Sequence, residues 1–152
     1  IARWPGVIPA GRVNETTVVS AVDFVPTLCA LANVTAPAGV KFDGEELSGV
    51  FKGGVQPRSR PLFWEYGRKP ATDEQKAKGI RPFPYPSEPD SKSPNVAVRD
   101  GDWKLLVNAD GSGAELYNLA NDPNEGKNLA ESETATAARL KAAALAWRRL
   151  LP

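Results

Sequence analysis

The sequence predicts an α+β fold, a small antiparallel four-stranded sheet covered by a C-terminal helix and preceded by one strand and one helix. Three observations lead to this prediction. Short segments rich in β-branched and aromatic residues follow one another after residue 60, an Asp-Gly pair separates two of them, and apolar residues at helical spacing close the sequence.

The four predicted strands are residues 61–66, 95–99, 103–107 and 115–119. Between the second and the third, Asp100-Gly101 is a strong signal for a tight hairpin, because the two strands are joined with almost no intervening chain. A turn over 108–111 leads to the fourth strand. Strands joined by such short turns are expected to pair as antiparallel neighbours.

A final helix is predicted to begin near Ser132 or Thr134 and to end by Pro152. Its apolar stripe consists of Leu140, Ala144, Trp147 and Leu151, with Leu150 adjacent. Residues at this spacing share one helix face, so the helix is expected to cover one face of the sheet.

The first part of the chain predicts a strand at Ile1–Trp4 and then a helix. Asp23 is a suitable N-cap for a helix running to about Asn33, and Pro26 falls in the first turn, where a missing N–H costs no intrahelical bond. The apolar side chains Phe24, Leu28 and Leu31 share one face of this helix. That face is expected to bury against something large.

A boundary between two domains is expected near residue 60, giving 1–59 and 60–152, because residues 35–60 are rich in Pro and Gly. A second unusual segment is 67–94, which carries six prolines. Loops of that length inside compact domains are usually either functional or mobile.

Composition excludes several classes of function. The chain has 152 residues, 41% of them hydrophobic, and a net charge of +1, so it lacks the basic excess of a nucleic-acid-binding domain. No segment is apolar enough over a sufficient length to predict a membrane span. The sequence contains no His, the commonest general acid/base near neutral pH, and no Met. Without Met, and opening on Ile1 as if within a strand, it is expected to be a piece of a longer protein.

Few residues are candidates for a site. Cys29, the single cysteine, lies in an apolar helical stretch without a base and is interpreted as a core residue. Glu65 and Tyr66 end an aromatic strand that feeds the 67–94 segment, a common place for binding residues, although packing explains the same residues equally well. Arg68 makes the start of that segment basic, which fits either a solvated loop or an anion site.

Several blocks of sequence, taken in order, resemble the sulfatases of the alkaline phosphatase superfamily, of the arylsulfatase and N-acetylgalactosamine-6-sulfatase-like kind. The blocks are Arg3-Trp4-Pro5-Gly6, residues 22–28, Phe42-Asp43-Gly44, Leu62-Phe63-Trp64-Glu65, residues 97–105, residues 115–119 and Asp122-Pro123-Asn124-Glu125. The early blocks are similar to the run that follows the active-site lysine, and the later ones to the C-terminal subdomain. The resemblance covers nearly the whole chain, except residues 68–93.

The resemblance implies that 1–59 form the C-terminal end of the large α/β sulfatase domain and 60–152 the small C-terminal subdomain. Sulfatases hydrolyse sulfate esters with calcium and a formylglycine made from a cysteine in a C-x-P-x-R or C-x-A-x-R context. Cys29 precedes Ala30-Leu31-Ala32-Asn33 and does not match that context. The resemblance therefore implies no catalytic residue, metal ligand or cofactor in this chain.

The same resemblance implies partners. They are the N-terminal catalytic domain of the same protein and, in the full-length enzyme, a sulfated small molecule or glycan, for which Glu65, Tyr66 and Arg68 are candidate contacts. Self-association of the isolated piece is also expected. A periplasmic, secreted or lysosomal location is compatible with such an enzyme.

Two alternatives remain open from the sequence. One is a non-catalytic carbohydrate-binding or interaction module, because sugars stack on exposed Trp and Tyr. The other is the same region of a related phosphatase or phosphonate hydrolase, which the residue at the upstream nucleophile position would distinguish.

Overall fold

A computed structural model describes residues 1–65, 77 and 94–151 of the chain. These residues form two compact units, Ile1–Arg60 and Pro61–Pro152. None of the described helices has the length and apolar character needed to cross a membrane.

The second unit contains a four-stranded antiparallel sheet in the order β1-β2-β3-β4. The strands are β1 Leu62–Glu65, β2 Val96–Asp100, β3 Trp103–Val107 and β4 Glu115–Asn118. Helix α3, Thr134–Arg149, follows them. The predicted α+β architecture of a four-stranded sheet with a C-terminal helix is confirmed.

The β2–β3 hairpin forms where the Asp-Gly pair predicts it. Asp100 pairs with Trp103, so the loop between the strands has only two residues. Gly101 takes the first loop position with φ of 58°, a left-handed conformation that glycine adopts without a steric penalty. Such a loop matches the right-handed twist of the strands it joins and fixes their register.

The core of this unit lies between one face of the sheet and α3. Alternate residues of the strands point to the same face, and on the helix side they meet the apolar stripe of α3. The buried residues of this core are Val96, Val98, Leu105, Val107, Leu116, Ala137, Leu140 and Ala144. Trp147 packs against it as predicted, whereas Leu150 follows the end of α3 and is 84% exposed.

The first unit contains a 3₁₀ turn, Ala21–Asp23, followed by α1, Phe24–Leu31, and the short α2, Ser48–Phe51. Helix α1 ends two residues before the predicted limit of Asn33. Asn33 adopts a left-handed φ of 54°. The amides of Asn33 and Val34 then donate back to the carbonyls of Ala30 and Cys29, a pair of bonds that closes a helix C-terminus.

The predicted opening strand is not observed at Ile1–Trp4. A strand requires a hydrogen-bonded neighbour, and the strands of the described residues all lie in the sheet of the second unit. The Trp4 carbonyl instead accepts from the amides of Val7 and Ile8, which makes a turn.

Candidate functional site

Glu65, the first candidate substrate contact, is the last residue of β1. Its side chain is only 3% exposed. One of its partners is Arg148 in the last turn of α3, whose Nε donates to Glu65 Oε1 over 2.8 Å. This arrangement makes Glu65 a buried member of an ion pair and not a carboxylate presented to solvent.

A second contact lies beside this pair. The rings of Phe63 and Trp147 stack with centroids 5.2 Å apart and planes 12° from parallel. Offset stacking of two rings adds to the gain from burying them. The end of β1 is therefore held against α3 by one apolar and one ionic contact.

The other two candidate contacts, Tyr66 and Arg68, lie outside the described residues, as does the 67–94 segment except for Ala77 and Pro94. Their assignment as substrate contacts remains a prediction.

The sheet face opposite α3 carries a second group of polar side chains. Lys104 Nζ lies 2.6 and 2.8 Å from the two carboxylate oxygens of Glu125. Tyr117 donates its hydroxyl to Glu115, and burial, followed by this hydrogen bond and by nearby carboxylates, raises the pKa of Tyr117 to about 12. The phenol therefore stays protonated at neutral pH and acts here as a hydrogen-bond donor.

In the first unit, Asp23 is the centre of a buried polar cluster. Its carboxylate accepts two hydrogen bonds from the Arg58 guanidinium, at 2.7 and 2.9 Å. The backbone amides of Ser20 and Glu45 donate to it at 2.7 and 2.8 Å. Burial raises the pKa of Asp23, but these hydrogen bonds, with Arg58 foremost, outweigh it and hold the pKa below the usual 3.8. Asp23 is thus an ionised partner of Arg58 and makes no side-chain hydrogen bond as the N-cap of α1.

Glu45 and Thr27 extend this cluster. Glu45 Oε1 accepts from the amides of Ser59 and Arg60 and from the Ser59 hydroxyl. Among the described residues, buried Glu45 Oε2 has no hydrogen-bond partner. Thr27 Oγ1 accepts from the Leu47 amide over 3.0 Å. The cluster ties α1 to the segments around residues 45 and 59.

Sequence reasoning missed this cluster. It considered Asp23 only as a helix cap. Glu45 is buried, whereas the adjacent Glu46 is exposed. A buried Asp needs a cation, but nothing local marks Arg58 as that partner.

The apolar face of α1 is exposed in this structure. Phe24, Val25 and Leu28 are 46%, 55% and 59% exposed, whereas the neighbouring Pro26 and Thr27 are buried. Phe24 and Leu28 were predicted to be buried, but the described residues leave them exposed. Large apolar residues grouped in this way usually mark a surface that another part of a protein covers.

No acid–base or nucleophilic constellation is formed by the described side chains. Among them, no three Cys, Asp or Glu residues converge in a manner suited to a metal ion. Cys29 is partly exposed on α1 and has no disulfide partner, since the chain contains one cysteine. What this arrangement supports is structural: ion pairs that fix strand ends and segments, and an apolar surface.

No model of a protein family matches the sequence. The chain is similar to arylsulfatase G of Homo sapiens, with 43% identity over 63 residues, which is 41% of this chain and 12% of that protein. It is also similar to a sulfatase of Formosa agariphila, with 31% identity over 136 residues, which is 85% of this chain and 22% of that protein. The chain thus spans between about an eighth and a quarter of the curated relatives it matches.

Solved structures give the same result. The crystal structure of Ps i-CgsB superposes with a TM-score of 0.63 and 25% identity over 90% of this chain and 25% of that one. A putative sulfatase from Bacteroides thetaiotaomicron superposes with a TM-score of 0.51 and 27% identity over 81% of this chain and 22% of that one. The chain belongs to the sulfatases, and it corresponds to their C-terminal region.

Proposed function

We propose that the chain is the C-terminal part of a sulfuric ester hydrolase, in which it completes the core and shapes one wall of the substrate cleft without supplying catalytic groups. The observation that carries this proposal is the match over 85% of the chain to only 22% of the Formosa agariphila sulfatase. The nucleophile, the acid–base groups and the metal ligands are then assigned to the other part of the enzyme. The lack of His and the context of Cys29 support this division.

In this proposal the unit Ile1–Arg60 is the end of the large α/β domain and Pro61–Pro152 is the small C-terminal subdomain. The partner is the catalytic domain of the same protein. The exposed apolar side chains of α1 support this partner, because Phe24 and Leu28 present a surface that is costly to leave in water. Calcium and formylglycine are the cofactors proposed for the full-length enzyme.

The proposed substrate is a sulfated small molecule or glycan. One similar solved structure is that of Ps i-CgsB in complex with k-i-k-neocarrahexaose, and one similar protein is a Delta 4,5-hexuronate-2-O-sulfatase. Glu65, Tyr66 and Arg68 remain the proposed contributors to the cleft wall. For Glu65 the buried pair with Arg148 favours a positioning role over direct contact with substrate.

The test compares the chain with the protein that also contains its upstream sequence. With a chromogenic aryl sulfate and calcium, the longer protein is expected to turn over and the chain alone is not. A longer protein in which the cysteine of the C-x-P/A-x-R context is changed to Ala serves as the matched control and is expected to be inactive. Turnover by the chain that persists after repurification would contradict the proposal, as would a longer protein that cleaves phosphonate esters and no sulfate ester.

A further inference from the structure

The last turn of α3 contacts the end of β1 through two consecutive residues. Trp147 stacks on Phe63 with ring centroids 5.2 Å apart, and Arg148 Nε donates to Glu65 Oε1 over 2.8 Å. Phe63 and Glu65 are two residues apart, so their side chains point to the same face of the strand. Both contacts therefore act on β1 from the same side.

Strand β1 depends on these contacts more than the inner strands do. It has four residues and, among the described residues, stands at the edge of the sheet, where its hydrogen-bonded neighbour is β2. The other edge strand, β4, is also held along its outer side, because the Leu116 carbonyl accepts from the Leu129 amide and the Leu116 amide donates to Asn128 Oδ1. Strand β1 is held in a comparable way by side chains of α3.

The chemistry of the pair suits a fixed position. The Glu65 side chain is almost fully buried, and a carboxyl group in such a place requires charged or polar partners. Arg148 lies in the last turn of α3, where a cation also interacts favourably with the helix dipole. Displacing the end of β1 would lengthen or misalign this hydrogen bond, so the pair favours one position for the strand end.

We propose that Trp147 and Arg148 are positioning residues, which we name the β1 clamp, and that they fix where the chain leaves the sheet after Glu65. This inference rests on the proposed function for its consequence: in the sulfatase, the clamp sets the position of the cleft wall and thereby the preference for extended sulfated substrates over small ones. Neither residue touches substrate in this proposal.

The chain offers a matched control on the same helix. Arg139 Nη1 lies 2.7 Å from Asp100 Oδ2, a pair of the same kind near the opposite end of α3. Its side chains are 57% and 36% exposed, and Asp100 belongs to β2, which has strands on both sides. Removing this pair leaves the edge strand and its clamp intact.

The first experiment measures amide hydrogen exchange strand by strand in the chain. Arg148→Gln is expected to accelerate exchange in Leu62–Glu65 by about ten- to a hundredfold, the effect of losing one charge-assisted hydrogen bond, with β3 much less affected. Arg139→Gln is expected to leave β1 unchanged. If the Gln variant does not fold, Arg148→Lys, which keeps the charge, replaces it in the same measurement. Equal acceleration in all four strands, or none in β1, would overturn the clamp.

The second experiment tests the consequence in the longer enzyme. Arg148→Gln is expected to lower kcat/KM for a sulfated oligosaccharide about tenfold while activity on a small aryl sulfate stays within about twofold. Equal losses on both substrates would overturn the selectivity role. If the unmodified enzyme hydrolyses neither substrate, the proposed function fails, and the exchange experiment still decides whether the clamp exists.

Discussion

Arg58 and Asp23 form a doubly hydrogen-bonded ion pair in the first unit, and their side chains are 5% and 0% exposed. The two residues are 35 positions apart. Because Asp23 directly precedes α1 and Arg58 lies just before the end of the unit, the pair closes the intervening chain onto the helix. A planar guanidinium facing a carboxylate gives this contact both strength and a defined geometry.

Arg58→Ala is expected to destabilise the chain by about 3–5 kcal/mol, because it leaves the buried Asp23 carboxylate without its cation. The measurement is the free energy of unfolding from urea denaturation followed by circular dichroism. Arg12→Ala is the control in the same unit; Arg12 is exposed, and its loss is expected to change stability by no more than about 0.5 kcal/mol. A loss below 1 kcal/mol for Arg58→Ala would show that the pair contributes little.

The same pair predicts a pH dependence. The pKa of Asp23 is lowered from 3.8 in the folded chain, so the unfolded state takes up its proton first as the pH falls. The contribution of Asp23 to stability is thus fully present above its unfolded pKa and is lost as the pH falls through its folded pKa. Comparison with Asp23→Asn isolates this group from other carboxylates: the stability difference between the two proteins is expected to shrink below pH 3.8. A difference that stays constant down to acid pH would refute this.

The isolated chain is expected to self-associate. Phe24, Val25 and Leu28 are large apolar residues exposed on α1, and exposed apolar groups of this kind recruit other chains. Light scattering across a concentration series measures the effect. Replacing Val25 and Leu28 by Glu is expected to shift the population toward monomer, whereas the same change at Lys52, outside the patch, is not. A monodisperse monomer of the unmodified chain at high concentration would contradict the prediction.

The sheet and α3 were predictable because their signals are local. Asp100-Gly101 fixes a hairpin through the conformational freedom of one residue, and the stripe around Leu140 and Ala144 repeats at helical spacing. Each of these patterns lies within a few positions of the structure it determines. The resemblance to sulfatases also identified which region of the enzyme the chain corresponds to. It did so because the order of several weak sequence blocks is informative even where each block alone is not.

The ion pairs and the strand contacts were not predictable in the same way. Glu65 and Arg148 are 83 positions apart, and no periodicity relates them. The opening strand fails for a related reason, since strand character at Ile1–Trp4 is realised only beside a neighbour that the described residues do not provide. Local sequence indicates whether a segment has strand propensity. Whether it forms a strand depends on a pairing partner that is distant in sequence.

The last prediction concerns Arg68, which follows the end of β1 by three positions and lies outside the described residues. If Arg68 meets an anionic group of a sulfated glycan, the contact is a charge-assisted hydrogen bond worth about 1.5–3 kcal/mol. In the full-length enzyme, Arg68→Ala is then expected to lower kcat/KM for a large sulfated glycan by roughly ten- to a hundredfold, with little effect on the melting temperature. A small aryl sulfate lacks the further anionic groups of a glycan, so on this proposal its hydrolysis is expected to stay almost unchanged.

The matched control for this experiment is Arg149→Ala, which removes an exposed arginine at the end of α3 and is expected to affect neither substrate. The ratio of kcat/KM values for the two substrates is the decisive quantity, because a variant with reduced stability loses active enzyme equally for both. Equal losses on glycan and aryl sulfate would therefore assign Arg68 a structural role. Unchanged values on both would place Arg68 away from the substrate and leave the cleft wall to other residues.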